Sequence, residues 1–257
     1  MHSHSLVAFN TATASTNKIH DDEVARGLGF RGGLVPGVDV YAYLCHPPVR
    51  EWGLDWLWRG TMRARFHRPV YDGHRADIEP VGDGGLELRD EDAELCAEGA
   101  ASLPPAAAPI PDPADWADVD QVADPPPAAP ETLVPGTAFG LAPHGFHAAR
   151  HREYLDDVRE SDQLYVTEGV AHPGWILRDA NYVLSANVRL GPWIHVESVV
   201  QHHDVVRDGE EVTARARVTN EWEHKGHRFV ELDVLHLGNL RPVAQTRHTA
   251  IYKPRGT

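Results

Sequence analysis

The sequence predicts an α+β protein of two similar units, each a buried helix packed against an antiparallel sheet. Three observations lead there. A Pro-Gly pair opens an apolar segment in each half, at Pro36-Gly37 and at Pro173-Gly174. An Asp-Gly turn follows each pair at nearly the same distance, 36 residues on at Asp72-Gly73 and 35 residues on at Asp208-Gly209. Between the halves, residues 103–130 turn to proline and alanine, the composition of an extended connector rather than of a core element. The expected units are therefore residues 1–102 and 131–257, joined by 103–130. At 257 residues the chain is long enough for two such units.

In chain order, Leu6-Val7-Ala8-Phe9 supplies a first strand and a polar loop follows it. From Val38 to Leu44 the residues are apolar nearly all round, which marks a helix buried on every side. His46-Pro47-Pro48 is expected to stop that helix, because proline lacks the N–H that a helix interior needs. A second helical piece then runs from Val49 to Trp58. Met62, Ala64 and Phe66 alternate with Arg63, Arg65 and His67, the period of a half-buried strand. Turns at Asp72-Gly73 and Gly82-Asp83-Gly84-Gly85 separate further strands ending near Ala101. In the second half Trp175 to Val183 is the apolar helix. Val212 to Val218, Val230 to Val234 and Val243 to Tyr252 are its strands.

Residues 17–40 carry the chemistry. They combine a polar loop holding His20, a short helical turn, a glycine-rich bend and the helix start at Pro36-Gly37. Proline in a helix's first turn costs little, and glycine lets another group approach the backbone. The unpaired N–H groups of such a turn can hold an oxyanion. A histidine beside a donor-rich helix start suits acyl chemistry, with a base on one side and an oxyanion hole on the other.

Asn17-x-Ile-His20, then Gly29-Phe30-x-Gly32 and Val35-Pro36-Gly37, resemble the hydratase motif of MaoC-like dehydratases, which include the (R)-specific enoyl-CoA hydratases. The resemblance implies a double hot dog: two curled antiparallel sheets, each wrapped around a central helix, fused as a pseudo-dimer. It implies His20 as the family histidine, Asn17 as its neighbour and Gly37 as the donor to the thioester oxygen. Val35, Tyr41 and Arg31 are the further substrate contacts expected. The family aspartate, five residues before the histidine, is here Ser15. A serine is no general base near neutral pH without help, so another carboxylate is expected to complete the site.

Asp21, Asp22 and Asp39 sit in first turns of helices, where acidic residues ordinarily stabilise the helix dipole. Asp179 lies in the middle of an apolar helix, where an ionised group is costly unless paired or functional. Its offset, five residues after Pro-Gly, resembles the central helix of the bacterial β-hydroxyacyl-carrier-protein dehydratases. The first half has Ala42 at that offset, and the second has Asp157 at the position matching His20. A composite site of His20 and Asp179 follows as an expectation.

The implied activity is hydration or dehydration of an acyl-CoA or acyl-carrier-protein thioester, with no cofactor. A thioesterase and a non-catalytic acyl-thioester-binding protein are the alternatives. A homodimer of double hot dogs is a further expectation. A formal charge of −14 argues against nonspecific binding to nucleic acid or to anionic membranes. No metal is expected, since pairs such as His144/His147 and His202-His203 lack a full ligand set. Cys45 and Cys96 fit no disulfide pattern, and no apolar run spans a bilayer. A cytoplasmic protein is expected.

Overall fold

The computed structural model describes residues 1–13, 15–27 and 29–256. The first half contains strand β1 (His4–Val7), helices α1 (Asp22–Gly27) and α2 (Gly37–Arg59), and strands β2 (Thr61–Phe66), β3 (Arg75–Val81), β4 (Gly85–Asp90) and β5 (Leu95–Ser102). The second half contains β6 (Ala138–Gly140), β7 (His144–Gly145), α3 (Ala148–Asp157), α4 (Leu164–Glu168) and α5 (Pro173–Asn187). Strands β8 (Ile194–His202), β9 (Glu211–His224), β10 (His227–Gly238) and β11 (Arg241–Lys253) complete it.

All the strands join one antiparallel sheet in the order β1-β3-β4-β5-β2-β8-β11-β10-β9-β6, with β7 paired to β9. The order is palindromic about the β2–β8 seam. In each half the strand that follows the central helix is the one that reaches the other half. Thr61 to Arg65 pair there with Gln201 to Glu197. Helices α2 and α5 pack on each other and on this sheet. The architecture is a double hot dog, as the family resemblance implied, and its halves are the two similar α+β units that the residue pattern predicted.

The two central helices meet where small residues allow it. A methyl group on Gly174 would lie 2.6 Å from the Ala42 Cβ, so the helices approach closely at that point. The predicted break at Pro47-Pro48 does not occur. The prolines cost the carbonyls of Tyr43 and Leu44 their helical donors. Burial of Tyr43, Leu44, Cys45, Pro47, Pro48 and Val49 nevertheless holds the segment helical through them. The kink comes at Gly53, whose φ of 57° is open to glycine and strained for other residues.

Residues 103–130 carry one short 3-10 turn, Pro113–Asp115, and otherwise run without helix or strand. Trp116 anchors them. Its ring packs with Leu235 and Leu237, its Nε1–H donates to the Asp233 carbonyl at 3.3 Å, and the Arg217 guanidinium lies 4.9 Å above it.

Two buried carboxylates, Asp39 and Glu160, tie the halves together. Arg178 on α5 donates to Asp39 on α2 at 2.8 Å, and Thr11 donates to the other Asp39 oxygen. Glu160, between α3 and α4, takes the Nδ1–H of His46 on α2 at 2.7 Å and has His172 Nε2 3.6 Å from its other oxygen. Burial alone would raise the Glu160 carboxyl, but its histidine partners outweigh that and hold it well below the usual carboxylate range. With its folded-state pKa depressed, the unfolded chain takes up the proton first. The stabilisation is therefore complete above about pH 4.5 and is lost as pH falls from there. Glu160→Gln should give a shallower fall of the urea midpoint between neutral and acid pH than the wild type. Identical slopes would show that this tie contributes nothing.

Candidate functional site

The loop carrying His20 is shaped by its own short-range chemistry. Asn17 caps the 3-10 turn Lys18–His20 by accepting from the Ile19 N–H. The same side chain donates to the Trp193 carbonyl at 3.0 Å and accepts from the Trp193 N–H at 3.3 Å, tying the loop to the segment that enters β8. Gly33 passes so close to the His20 carbonyl that a methyl there would sit 2.2 Å from it. His20 Nδ1 lies 2.7 Å from the Leu34 carbonyl, which can only accept, so Nδ1 carries the proton. The other nitrogen, Nε2, then holds a lone pair. Burial lowers the His20 pKa, against smaller opposing effects of the Leu34 carbonyl and Asp39, so the ring is neutral at physiological pH.

Two cavities meet at His20. The first, about 240 Å³, is mostly apolar and is lined by Val35, Gly37, Phe30, Val70 and Ile251 among others. The second, about 340 Å³, is more polar and is lined by Thr11, Ser15, Arg178 and Tyr182. Asn17, His20, Pro36, Asn181 and Trp193 line both. Gly37 is the first residue of α2, and its N–H has no intrahelical acceptor. Of the residues predicted from sequence, His20, Gly37, Asn17 and Val35 thus share one cavity. Ser15 lies in the second, where its hydroxyl accepts the Asn17 N–H at 3.1 Å.

Three predicted residues lie elsewhere. Asp179 bonds to His144 Nε2 at 3.0 Å and lines neither cavity, so it is not the partner of His20. Successive helix residues point about 100° apart. Arg178 takes the side of α5 that faces Asp39, and Asp179 turns toward β7 of its own half. Tyr41 is buried in the core because α2 is enclosed on every side from Val38 to Cys45. Arg31 is exposed and pairs with Asp92 at 3.4 Å. The expected substitute carboxylate is also missing: no Asp or Glu is among the described residues lining either cavity. Asp21 caps α1, Asp22 accepts the Gly33 N–H, and Asp39 is committed to Arg178 and Thr11.

Sequence reasoning missed three lining residues. Asn181 carries a buried Oδ1 without a partner. Trp193 is the loop's anchor. His195, on β8, lies against Gly37, and a methyl on that glycine would be 2.7 Å from the ring's Nδ1. The segment Ile194–His202 turns His195, Ser198 and His202 inward along with Val200, so the apolar alternation that marks a strand is hidden. Among the described residues, no cluster of three or more His, Cys, Asp or Glu is placed to hold a metal ion. No helix among them is long and apolar enough to cross a membrane.

The corresponding place in the second half is filled. Gly174 matches Gly37, but its N–H donates to His172 Nδ1 at 3.0 Å. A methyl there would meet the Tyr154 hydroxyl as well as Ala42, both at 2.6 Å. The donor is used and the space is occupied, so the pseudo-dimer carries one open site of this kind rather than two.

No family model matches the sequence, and no curated protein matches it. Solved structures do. A protein of Chloroflexus aurantiacus assigned to the MaoC domain dehydratases superposes with a TM-score of 0.66 at 11% identity, over 99% of this chain and 95% of that one. A MaoC-like dehydratase gives 0.65 at 11% identity, over 98% of both chains. A conserved hypothetical protein of Mycobacterium tuberculosis with a double hotdog fold gives 0.59 at 15% identity, over 98% and 96%. By its sheet order, its two central helices and these likenesses over full length, the chain has the double hot-dog fold found among MaoC-like dehydratases.

Proposed function

We propose that the protein is a hydro-lyase that adds water reversibly to an enoyl thioester. The observation that carries this reading is the neutral His20 ring, its Nε2 lone pair unprotonated, in one cavity with the unpaired N–H of Gly37. The fold shared with MaoC-like dehydratases supports it. The apolar cavity suits a hydrocarbon acyl group. The polar cavity, with its hydroxyls and Arg178, suits the amides of a phosphopantetheine arm, whether carried by coenzyme A or by a carrier protein.

In the forward direction a water molecule donates one hydrogen to His20 Nε2, which leaves an oxygen lone pair for attack. The water oxygen bonds to C3 while His20 takes its proton. The double-bond electrons move through C2 to the thioester oxygen, where the Gly37 N–H stabilises the enolate charge as it forms. The His20 imidazolium then returns its proton to C2, the carbonyl reforms, and the ring is neutral again. One group thus takes and returns the proton, and no carboxylate is required.

That no acidic residue is among the described residues lining the cavities counts against a thioesterase that uses a helix carboxylate. It favours, as a second reading, a protein that binds acyl thioesters without turning them over. Hydration of crotonyl-CoA and thiol release from butyryl-CoA distinguish the readings, and binding without either reaction supports the second. His20→Ala should lower kcat/KM for hydration by about 10²–10⁴-fold; a loss within about threefold would remove His20 from the chemistry. Gly37→Ala should leave the protein folded but push its methyl onto the His195 ring. A displacement of that kind should lower kcat by about 10²-fold, with a smaller change in KM. An unchanged kcat would count against the helix start as the oxyanion site.

A further inference from the structure

An oxyanion hole ordinarily uses more than one donor, and the backbone of Gly37 supplies one. The ring of His195 stands on the other side of that glycine, from the opposite half of the molecule. It is buried, it lines the apolar cavity, and its Nδ1 has no partner. Its other nitrogen is tied into the core: His195 Nε2 lies 2.8 Å from Ser198 Oγ, which lies 3.0 Å from His248 Nδ1. The Phe66 and His248 rings pack against it at centroid distances of 4.7 and 4.3 Å.

We propose that His195 is a catalytic residue that donates its Nδ1–H to the thioester oxygen beside the Gly37 N–H, and that Ser198 and His248 are positioning residues that hold it in that tautomer. The proposal rests on the thioester-hydration reading and extends the site across the seam between the halves. Ser198 has one hydrogen to donate. When that hydrogen goes to His195 Nε2, the oxygen accepts from the Nδ1–H of His248, and the remaining proton of a neutral His195 ring must sit on Nδ1. The donor then lies beside Gly37 at the edge of the cavity, with no proton transfer during the reaction. Burial, then the neighbouring His248, hold His195 well below the ordinary histidine range against a smaller opposing effect of the Glu197 backbone, and burial brings His248 to about 3. Both rings therefore act as neutral groups. A neutral imidazole donor can polarise a carbonyl without carrying a buried charge. This also accounts for Gly37, because any side chain there would occupy the space of the His195 ring.

The first test needs no substrate. Nitrogen-15 NMR of histidine-labelled protein, with the His195 signals assigned by their loss in His195→Asn, reads the tautomer directly. A proton on Nδ1 is expected; a proton on Nε2 alone overturns the proposal. The second test follows the infrared carbonyl stretch of carbon-13-labelled crotonyl-CoA in the binding site. The stretch should fall on binding to the wild type and recover part of the way in His195→Phe. His195→Asn, which keeps an N–H near the Nδ1 position, should retain most of the fall. Should His195→Phe not fold, Ser198→Ala serves instead, since it leaves the ring in place and frees the tautomer. Equal stretches in wild type and variant overturn the proposal. In kinetics, His195→Phe should lose about 10²–10³-fold in kcat, with His195→Asn within about tenfold of the wild type. A wild type that binds crotonyl-CoA but never hydrates it would end the hydration reading, while the tautomer and the carbonyl stretch would still decide the role of His195.

Discussion

The pairing of β2 with β8 is the contact on which the rest of the molecule depends. Five residues of the first half, Thr61 to Arg65, run antiparallel to Gln201 to Glu197 of the second. That registry merges two sheets into one and presses α2 against α5. It also brings the segment before β8 under the loop of the first half, where Asn17 closes both hydrogen bonds to Trp193. His195, two residues further along, is thereby set against Gly37. Neither half contains the cavity by itself, because its loop and helix start come from one and its floor from the other.

A fused pair of similar units is free to differ where a symmetric dimer is not, and this chain uses that freedom at its two Pro-Gly helix starts. At Gly37 the N–H is unpaired and a cavity adjoins it. At Gly174 the N–H is capped by His172, and Tyr154 fills the space. The groups around the filled position form a structural network instead. His151 accepts the His172 N–H at 2.9 Å, and Glu160 stands between His46 and His172. A buried carboxylate is tolerable only with such partners. In the second half these groups make a tie between the halves rather than an open site.

Electrostatically, the open site is built from neutral or paired groups. The cavity lining among the described residues offers histidines, amides and hydroxyls but no carboxylate, and its two arginines are already paired, Arg178 with Asp39 and Arg68 with Glu94. Burial lowers the pKa of His20, His195 and His248 alike. In such surroundings a lone pair or an N–H is effective because low polarity strengthens its interactions and no counter-charge has to be desolvated. Ser15 fits that design, since it caps the loop by accepting the Asn17 N–H.

What was legible in the sequence was what local chemistry decides. Pro-Gly pairs start helices, Asp-Gly pairs make turns, and alternating Met62, Ala64 and Phe66 make a strand, whatever lies across the fold. Those features repeat in each half, and so the two-unit fold could be read from the chain, along with the stretch that holds His20 and Gly37. The helix through Pro47-Pro48, the turning of Asp179 toward His144, the burial of Tyr41 and the place of His195 could not be read this way. Each is settled by a neighbour far along the chain: Gly37 and His195 meet across the seam, as do Asn17 and Trp193, which are 176 residues apart. Local propensity fixes which backbone shape a segment adopts. Which side chain enters a cavity depends on the rotation of a helix or the register of a strand against its partner, and only close packing of the whole molecule decides those.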